Sequence, residues 1–265
     1  MTITSKLWMG AVLAIASLAV PAGVQARDID QQVAADPGGQ VVVNNVVGTV
    51  NVEAWDKAEV EVTGSIDSGV ERVDVVRDGS RVAVRVVLPT ANSRRDADAD
   101  LTIRVPKGSS LDVTTVSADI TVREVAGALR LKSVSGEIVA HGAAKDSEFK
   151  SVSGDIRVTA AAPAARLVAY SVSGNLVVDD LSGELEATTV SGDLLLDLGT
   201  ITTLRLRSTS GDARVGGRLA KGARVDFESV SGDLRVTLAA DAGFGAEADT
   251  FSGSLSNCFG ARPEA

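Results

Sequence analysis

The sequence predicts an all-β fold: a single-stranded parallel β-solenoid with an irregular N-terminal β extension. Three observations support this prediction. A nine-residue pattern recurs through the second half of the chain, apolar and polar residues alternate on both sides of each copy, and no 3.6-residue period follows the N-terminal leader. Alternation with a period of two is typical of strands that bury one face, so each copy with its flanks supplies two short strands.

The first 26 residues have the features of a secretory signal peptide. Lys6 supplies a single positive charge, residues 7–20 form an uncharged apolar run, and Ala26 ends a small-residue cleavage pattern. We predict cleavage between Ala26 and Arg27 and a mature protein that is periplasmic, secreted or at the cell surface. The apolar run is shorter than the roughly 20 residues that span a bilayer, so no transmembrane anchor is expected.

Residues 27–113 are less regular and are predicted to form a β cap or worn first coils. Residues 45–52 echo the later repeat, with Gly48 at the turn. Gly79 and Ser80 separate two strand-like stretches and suit a hairpin turn. Residues 92–100 are charged and are predicted to form a solvated loop.

The recurring pattern is a Ser-Val-Ser-Gly-Asp corner followed by an alternating apolar strand. Its eight copies occupy residues 114–122, 132–140, 150–158, 170–178, 188–196, 207–215, 228–236 and 249–257. Their turn positions are 18 to 21 residues apart, about half of the 40–45 residues that a β-propeller blade needs. Stacking such coils as parallel strands about 4.8 Å apart pairs their backbones and joins their apolar faces. We therefore predict a solenoid over residues 114–257, followed by a C-terminal tail over 258–265.

The run at residues 101–108, LTIRVPKG, followed by repeated V-S-G-D-[IL]-x-V, resembles the bacterial "putative adhesin" β-strand-repeat family, domain of unknown function 4097. Residues 48–56 are similar to the opening motif of that family. The resemblance covers about residues 38–257 and implies a solenoid-like all-β fold and an adhesin label. It implies no established activity and no ligand residues. Ala118 in place of the first corner glycine and Ser254 in place of the last acidic residue depart from the pattern.

The corner glycines are expected to need a positive φ, and the acidic residue after each of them to bond nearby backbone. The glycines are Gly136, Gly154, Gly174, Gly192, Gly211, Gly232 and Gly253. The acidic ladder consists of Asp119, Glu137, Asp155, Asp193, Asp212 and Asp233, interrupted by Asn175. Turn chemistry explains the ladder without metal, and calcium bound between coils is the alternative.

Serine and valine also recur at the corners. The serines are Ser135, Ser153, Ser173, Ser191, Ser210 and Ser231, and the neighbours before them are Val134, Val152, Val172, Val190, Thr209 and Val230. If alternation runs unbroken from Leu131, the serines point inward and the valines form an exposed stripe. If the chain bends at Ser133, the valines are buried, and this second arrangement is the one we expect. An exposed stripe would suit a partner-binding face.

Composition excludes several classes of function. The formal net charge is −9, and it becomes −10 without Lys6, the only charged residue of 1–26. A chain this acidic repels phosphate, so no nucleic-acid partner is expected. His141 is the only histidine and Cys258 the only cysteine, so the chain cannot form an internal disulfide and lacks the ligands of common zinc sites.

No constellation of residues breaks the repeat to assemble a nucleophile, a base and an oxyanion donor. We therefore predict no catalytic, cofactor-binding or metal-binding residues and no cofactor. The predicted function is non-catalytic: a rigid exported surface that binds an unknown macromolecule of the cell envelope or surface. The alternatives are a periplasmic structural or envelope-stress scaffold and, from the enzymes, a polysaccharide-active β-helix.

Overall fold

The computed structural model describes residues 26–89, 97–143, 145–161 and 165–239, and these residues form an all-β protein. The strands are β1 Arg27–Ala34, β2 Gln40–Asn44, β3 Val47–Trp55, β4 Glu59–Ile66, β5 Arg72–Asp78, β6 Arg81–Val87, β7 Ala99–Pro106, β8 Ser110–Thr114, β9 Ser117–Arg123, β10 Leu129–Ser133, β11 Ile138–Ala143, β12 Ser147–Ser151, β13 Ile156–Ala160, β14 Ala165–Ser171, β15 Leu176–Asp179, β16 Gly183–Ser191, β17 Leu194–Ser210, β18 Ala213–Ser231 and β19 Leu234–Leu238. Within these ranges, the structure contains no helix suited to spanning a bilayer.

Each coil contributes one strand to each of two parallel stacks, as the repeat predicts. The front stack runs β6, β2, β8, β10, β12, β14, β16 and then the C-terminal parts of β17 and β18. The back stack runs β7, β3, β9, β11, β13, β15, the N-terminal parts of β17 and β18, and β19. The predicted parallel β-solenoid is confirmed.

The alternating apolar residues point into the space between the two stacks. Leu131 and Phe149 are register partners in the front stack, and Ile138 and Ile156 are register partners in the back stack. All four are fully buried and belong to one continuous core. Burying a side chain of this size stabilises the fold by about 1.5–3 kcal/mol. A single coil could not exclude water from both sides of these residues, which is why the unit is repeated.

The stacking order at the N-terminal end does not follow the chain. β2 lies between β6 and β8, and β3 lies between β7 and β9. The echo of the repeat at residues 45–52 is therefore part of a coil, inserted between two coils that come later in the sequence. The boundary expected between residues 113 and 114 falls at the end of β8, so coils form well before it. Of the charged segment 92–100, residues 92–96 lie outside the described part, and Ala99 already begins β7.

Antiparallel strands close the N-terminal end of both stacks. β4 pairs with β7 and β1 with β4, while β5 and β6 form the predicted hairpin around Gly79, whose φ is 58°. The Arg27 guanidinium donates to the Val70 carbonyl oxygen, and Gln31 Nε2 donates to the Val73 carbonyl oxygen at 3.1 Å. These bonds tie β1 to the segment around β5, so the parallel stacks do not present a bare edge there.

Candidate interaction surface

The corner of each central coil is built on a buried hydroxyl group. Ser151 Oγ accepts a hydrogen bond from the Gly154 backbone N–H at 2.8 Å, and Ser133 Oγ accepts one from Gly136 at the same distance. Ser171 repeats the arrangement in the next coil. A buried N–H without a partner costs about 1–3 kcal/mol, so the inward serine fixes where the chain turns.

The turn places both the following valine and the second serine on the outside. Val134, Val152 and Val190 are 43%, 44% and 39% exposed. Ser135 and Ser153 are exposed as well. The expected burial of the valines is wrong, because the first serine takes the last inward position and the chain leaves the strand immediately after it.

The exposed positions form one line along the stack, which we call the valine ridge. It consists of Val116, Val134, Val152, Val172, Val190, Thr209 and Val230, of which Val172 is half-buried. The backbone holds the ridge in register, since Ser135 N–H donates to the Val116 carbonyl oxygen and Ser153 N–H to that of Val134, both at 2.8 Å. The ridge is therefore a rigid apolar edge rather than a set of independent side chains.

Glycine is required at the corners for two different physical reasons. Gly192, Gly211 and Gly232 have φ values of 147°, 125° and 120°, which confirms the expected positive φ. For Gly136, Gly154 and Gly174 that expectation is wrong, because their φ lies outside the left-handed region. Glycine is required there by close stacking: a Cβ on Gly154 would lie 2.0 Å from the carbonyl oxygen of Gly136. Gly253 lies outside the described residues.

The acidic ladder is a chain of hydrogen bonds between coils. Asp193 N–H donates to Asn175 Oδ1 at 3.0 Å, and Asp212 N–H donates to Asp193 Oδ1 at 2.9 Å. The same bond joins Glu137 to Asp119 and Asn175 to Asp155. It also joins Asp233 to Asp212. Asn175 fits the ladder because its side-chain oxygen accepts the same bond, so the ladder position needs an acceptor rather than a charge.

Metal-ligating side chains do not converge on this surface in the described part of the chain. No three His, Cys, Asp or Glu side chains there are grouped so that they could hold a metal ion. His141 is exposed on the outer face of β11. Cys258 and Ser254 lie outside the described residues.

The front face has a local concentration of positive charge around Glu148 on β12. The hydrogen bond from Lys150 is the main reason that the pKa of the Glu148 carboxyl is lowered, and the charges of Lys132 and Arg130 lower it further. Arg130 Nε lies 3.7 Å from Glu148 Oε2, and Lys150 Nζ contacts Oε1. The negative charge of the Glu148 carboxylate is therefore shared among three cations.

Comparison of the sequence with known protein families agrees with this architecture. The model of the family described as "Toastrack DUF4097" matches residues 40–259, most of the chain. The chain belongs to the Toastrack family. The resemblance found in the sequence is thereby confirmed. No curated protein matches this Toastrack chain in sequence.

Several solved structures are similar to this Toastrack chain. A "putative adhesin" from Bacteroides fragilis is 14% identical, covers 80% of this chain and 97% of its own, and superposes with a TM-score of 0.55. A "putative adhesin" and a "putative lipid binding protein" from Parabacteroides distasonis are 12% and 11% identical. They cover 80% of this chain and 97% and 98% of their own, with TM-scores of 0.45 and 0.43. At 14% identity, the Bacteroides structure supports a shared fold.

Proposed function

We propose that this protein is a non-catalytic exported protein that presents its valine ridge to a macromolecule of the cell envelope or cell surface. The observation that carries the proposal is the alignment of exposed Val116, Val134, Val152 and Val190 along one edge. Exposed β-branched residues are ordinary when scattered, but a contiguous line of them is typical of a binding surface. Strand pairing already fixes the ridge, so little conformational entropy is lost when a partner binds.

Export is supported by the leader and by where the first strand begins. β1 starts at Arg27, directly after the predicted cleavage position. A cut after Ala26 would therefore leave every described strand intact, including the β1 strand that closes the end of the stack. Mass spectrometry of the protein from its native cells should give a mature chain that begins at Arg27. A chain that retains residues 1–26 would contradict export by signal-peptide cleavage.

The ridge is tested by binding of labelled purified protein to intact cells and to isolated envelopes. The combined variant Val134→Ser, Val152→Ser and Val190→Ser should lose at least tenfold in affinity. The matched control is Val76→Ser with Leu195→Ser, which removes apolar groups that are 58% and 49% exposed away from the ridge. The control should bind as the wild type does, and both variants should keep the wild-type melting temperature within a few degrees.

Equal binding by the ridge variant and the wild type would overturn the ridge as the contact surface. Protease treatment of intact cells separates the proposal from the scaffold alternative. Digestion of the protein on intact cells supports a surface role. Protection until the outer envelope is opened favours a periplasmic scaffold.

A further inference from the structure

A straight row of outward side chains on the front stack contains no carboxylate. We call it the cationic row. It consists of Arg85, Asn44, Thr114, Lys132, Lys150, Tyr170, Thr188 and Arg207, which are successive register partners. The next register positions are Asp74 beyond Arg85 and Glu228 beyond Arg207. At about 4.8 Å per strand, the row is about 34 Å long.

A row without aspartate or glutamate is unusual in a protein this acidic. The sequence has 35 acidic residues against 26 basic ones. Other outward register pairs on the front stack join opposite charges, as Arg166 does with Glu184 and Arg205 with Asp226. In the row, Lys132 and Lys150 are direct partners. Like charges in this position destabilise a sheet, so this pair does not contribute to the stability of the fold.

Neighbouring carboxylates offset only part of the charge of the row. Glu228 accepts a hydrogen bond from Arg207 Nε at 3.1 Å. Glu148 contacts Lys150 and also attracts Arg130. Lys132 makes no salt bridge within the described ranges. Tyr170 follows Lys150 in register and is 38% exposed. Lys132, Lys150 and Tyr170 therefore lie side by side on adjacent strands, with Lys132 half-buried and the other two exposed.

The spacing of groups along the row suggests the chemistry of a ligand. Between the cations lie the hydroxyl groups of Thr114, Thr188 and Tyr170 and the amide of Asn44, all of which can bond neutral hydroxyl groups. The cations can bind carboxylate or sulfate by charge-assisted hydrogen bonds. We propose that the cationic row binds an acidic polysaccharide, whose charged and neutral hydroxylated sugars follow one another along the stack axis.

A nucleic acid fits the row less well. A nucleic-acid strand carries one phosphate about every 3.4 Å, whereas the row offers four cations over its whole length. Single-stranded nucleic acid also needs aromatic rings for successive bases, and the row has only Tyr170. The net charge of −9 disfavours every polyanion, and most strongly one of high charge density.

The row runs beside the valine ridge, because each ridge residue from Val116 to Thr209 follows a row residue by two positions. The inference uses none of the ridge side chains, and the lysine substitutions below leave the ridge intact, so it can fail without failure of the proposed function.

The test measures binding of the purified protein at low salt to hyaluronate, in which charged and neutral sugars alternate, and to polygalacturonate, in which every sugar is charged. Dextran is the neutral polymer. We expect saturable binding to at least one acidic polymer, no binding to dextran, and weakening as salt is added. Lys132→Gln with Lys150→Gln should reduce affinity at least tenfold. Thr114→Glu, which places a carboxylate in the row, should also weaken binding.

The matched control is Arg214→Gln with Arg235→Gln on the back stack. These arginines are exposed register partners one coil apart, and their removal changes the net charge by the same amount. The control should bind within twofold of the wild type. Equal losses in both double variants, or no binding to either acidic polymer, would overturn the proposal. So would tighter binding of a thymidine oligonucleotide than of the polysaccharides, with the same sensitivity to the lysine substitutions.

Discussion

Asp193 Oδ1 accepts a hydrogen bond from the Asp212 backbone N–H, 2.9 Å away and one coil further along the stack. The bond joins successive coils at the corner and adds to the backbone hydrogen bonds between their parallel strands. It shows why an acidic residue or asparagine follows most corner glycines: at five ladder positions the side chain supplies the acceptor for the next coil.

Removing that acceptor should destabilise the protein, while removing its charge should not. Asp193→Ala is expected to lower the free energy of unfolding by about 1 kcal/mol. Asp193→Asn should be nearly neutral, since Asn175 already fills the same role. Denaturant unfolding measures the effect of both substitutions.

Millimolar calcium should leave the denaturant midpoint of the wild-type protein unchanged. A clear calcium-dependent rise in that midpoint would instead favour metal binding between coils.

The buried corner hydroxyl groups should differ in their contribution to stability. Ser151→Ala leaves the Gly154 N–H without its partner and should cost about 1–3 kcal/mol. Ser208 is also buried, but its Oγ has no hydrogen-bond partner in the described structure. Ser208→Ala should therefore be neutral or stabilising. Equal losses for the two substitutions in thermal unfolding would show that the Ser151 bond does not define the corner.

Close stacking at the glycines predicts a steric penalty. Gly154→Ala would place a Cβ 2.0 Å from the Gly136 carbonyl oxygen, so the coils must separate locally, at about 1–3 kcal/mol or more. Gly38→Ala is the control, because a Cβ there meets no atom within 4 Å. Calorimetry should show a lower melting temperature for the first variant only. A stable Gly154→Ala protein would contradict the observed separation of the coils.

The lowered pKa of Glu148 predicts a pH-dependent contribution to stability. A carboxyl group whose pKa falls on folding stabilises the folded state above its ordinary value of 4.5, and this contribution is lost as pH falls through the lower folded pKa. Glu148→Gln should therefore be less stable than the wild type at pH 7, and the difference should shrink on acidification. In a Lys150→Gln background, which removes the hydrogen bond that is the main cause of the lowered pKa of Glu148, the trend should be weaker. A difference that is constant with pH would contradict the role of the cations.

Local sequence was enough to predict the strands and the parallel stack, because alternation and corner residues recur at each coil. It was not enough to place the valines. Their exposure depends on the bond between Ser133 Oγ and the Gly136 N–H, and two bends of the chain were compatible with the same alternation. The requirement for glycine at position 154 comes from the coil before it, so no local turn signal reveals it.

The stacking order at the N-terminal end also could not be predicted from the sequence. β2 buries Val41 and Val43 on an apolar inner face as later strands bury their own apolar residues, and nothing in its sequence indicates that β6 lies beside it. The cationic row was missed for the same reason. Its first members in space, Arg85, Asn44 and Thr114, are out of order in the chain and become neighbours only when the inserted coil is known.

Distances along the valine ridge test the central claim, which is that the repeats are coils stacked in parallel. Spin labels are attached to cysteines introduced at pairs of ridge positions in a Cys258→Ser protein. Val116 and Val190 are four coils apart and Val116 and Val230 are six, so the expected separations are about 19 Å and about 29 Å. Pulsed electron spin resonance should find the second distance longer by about 10 Å. Equal distances, or a shorter distance to position 230, would contradict the parallel stack.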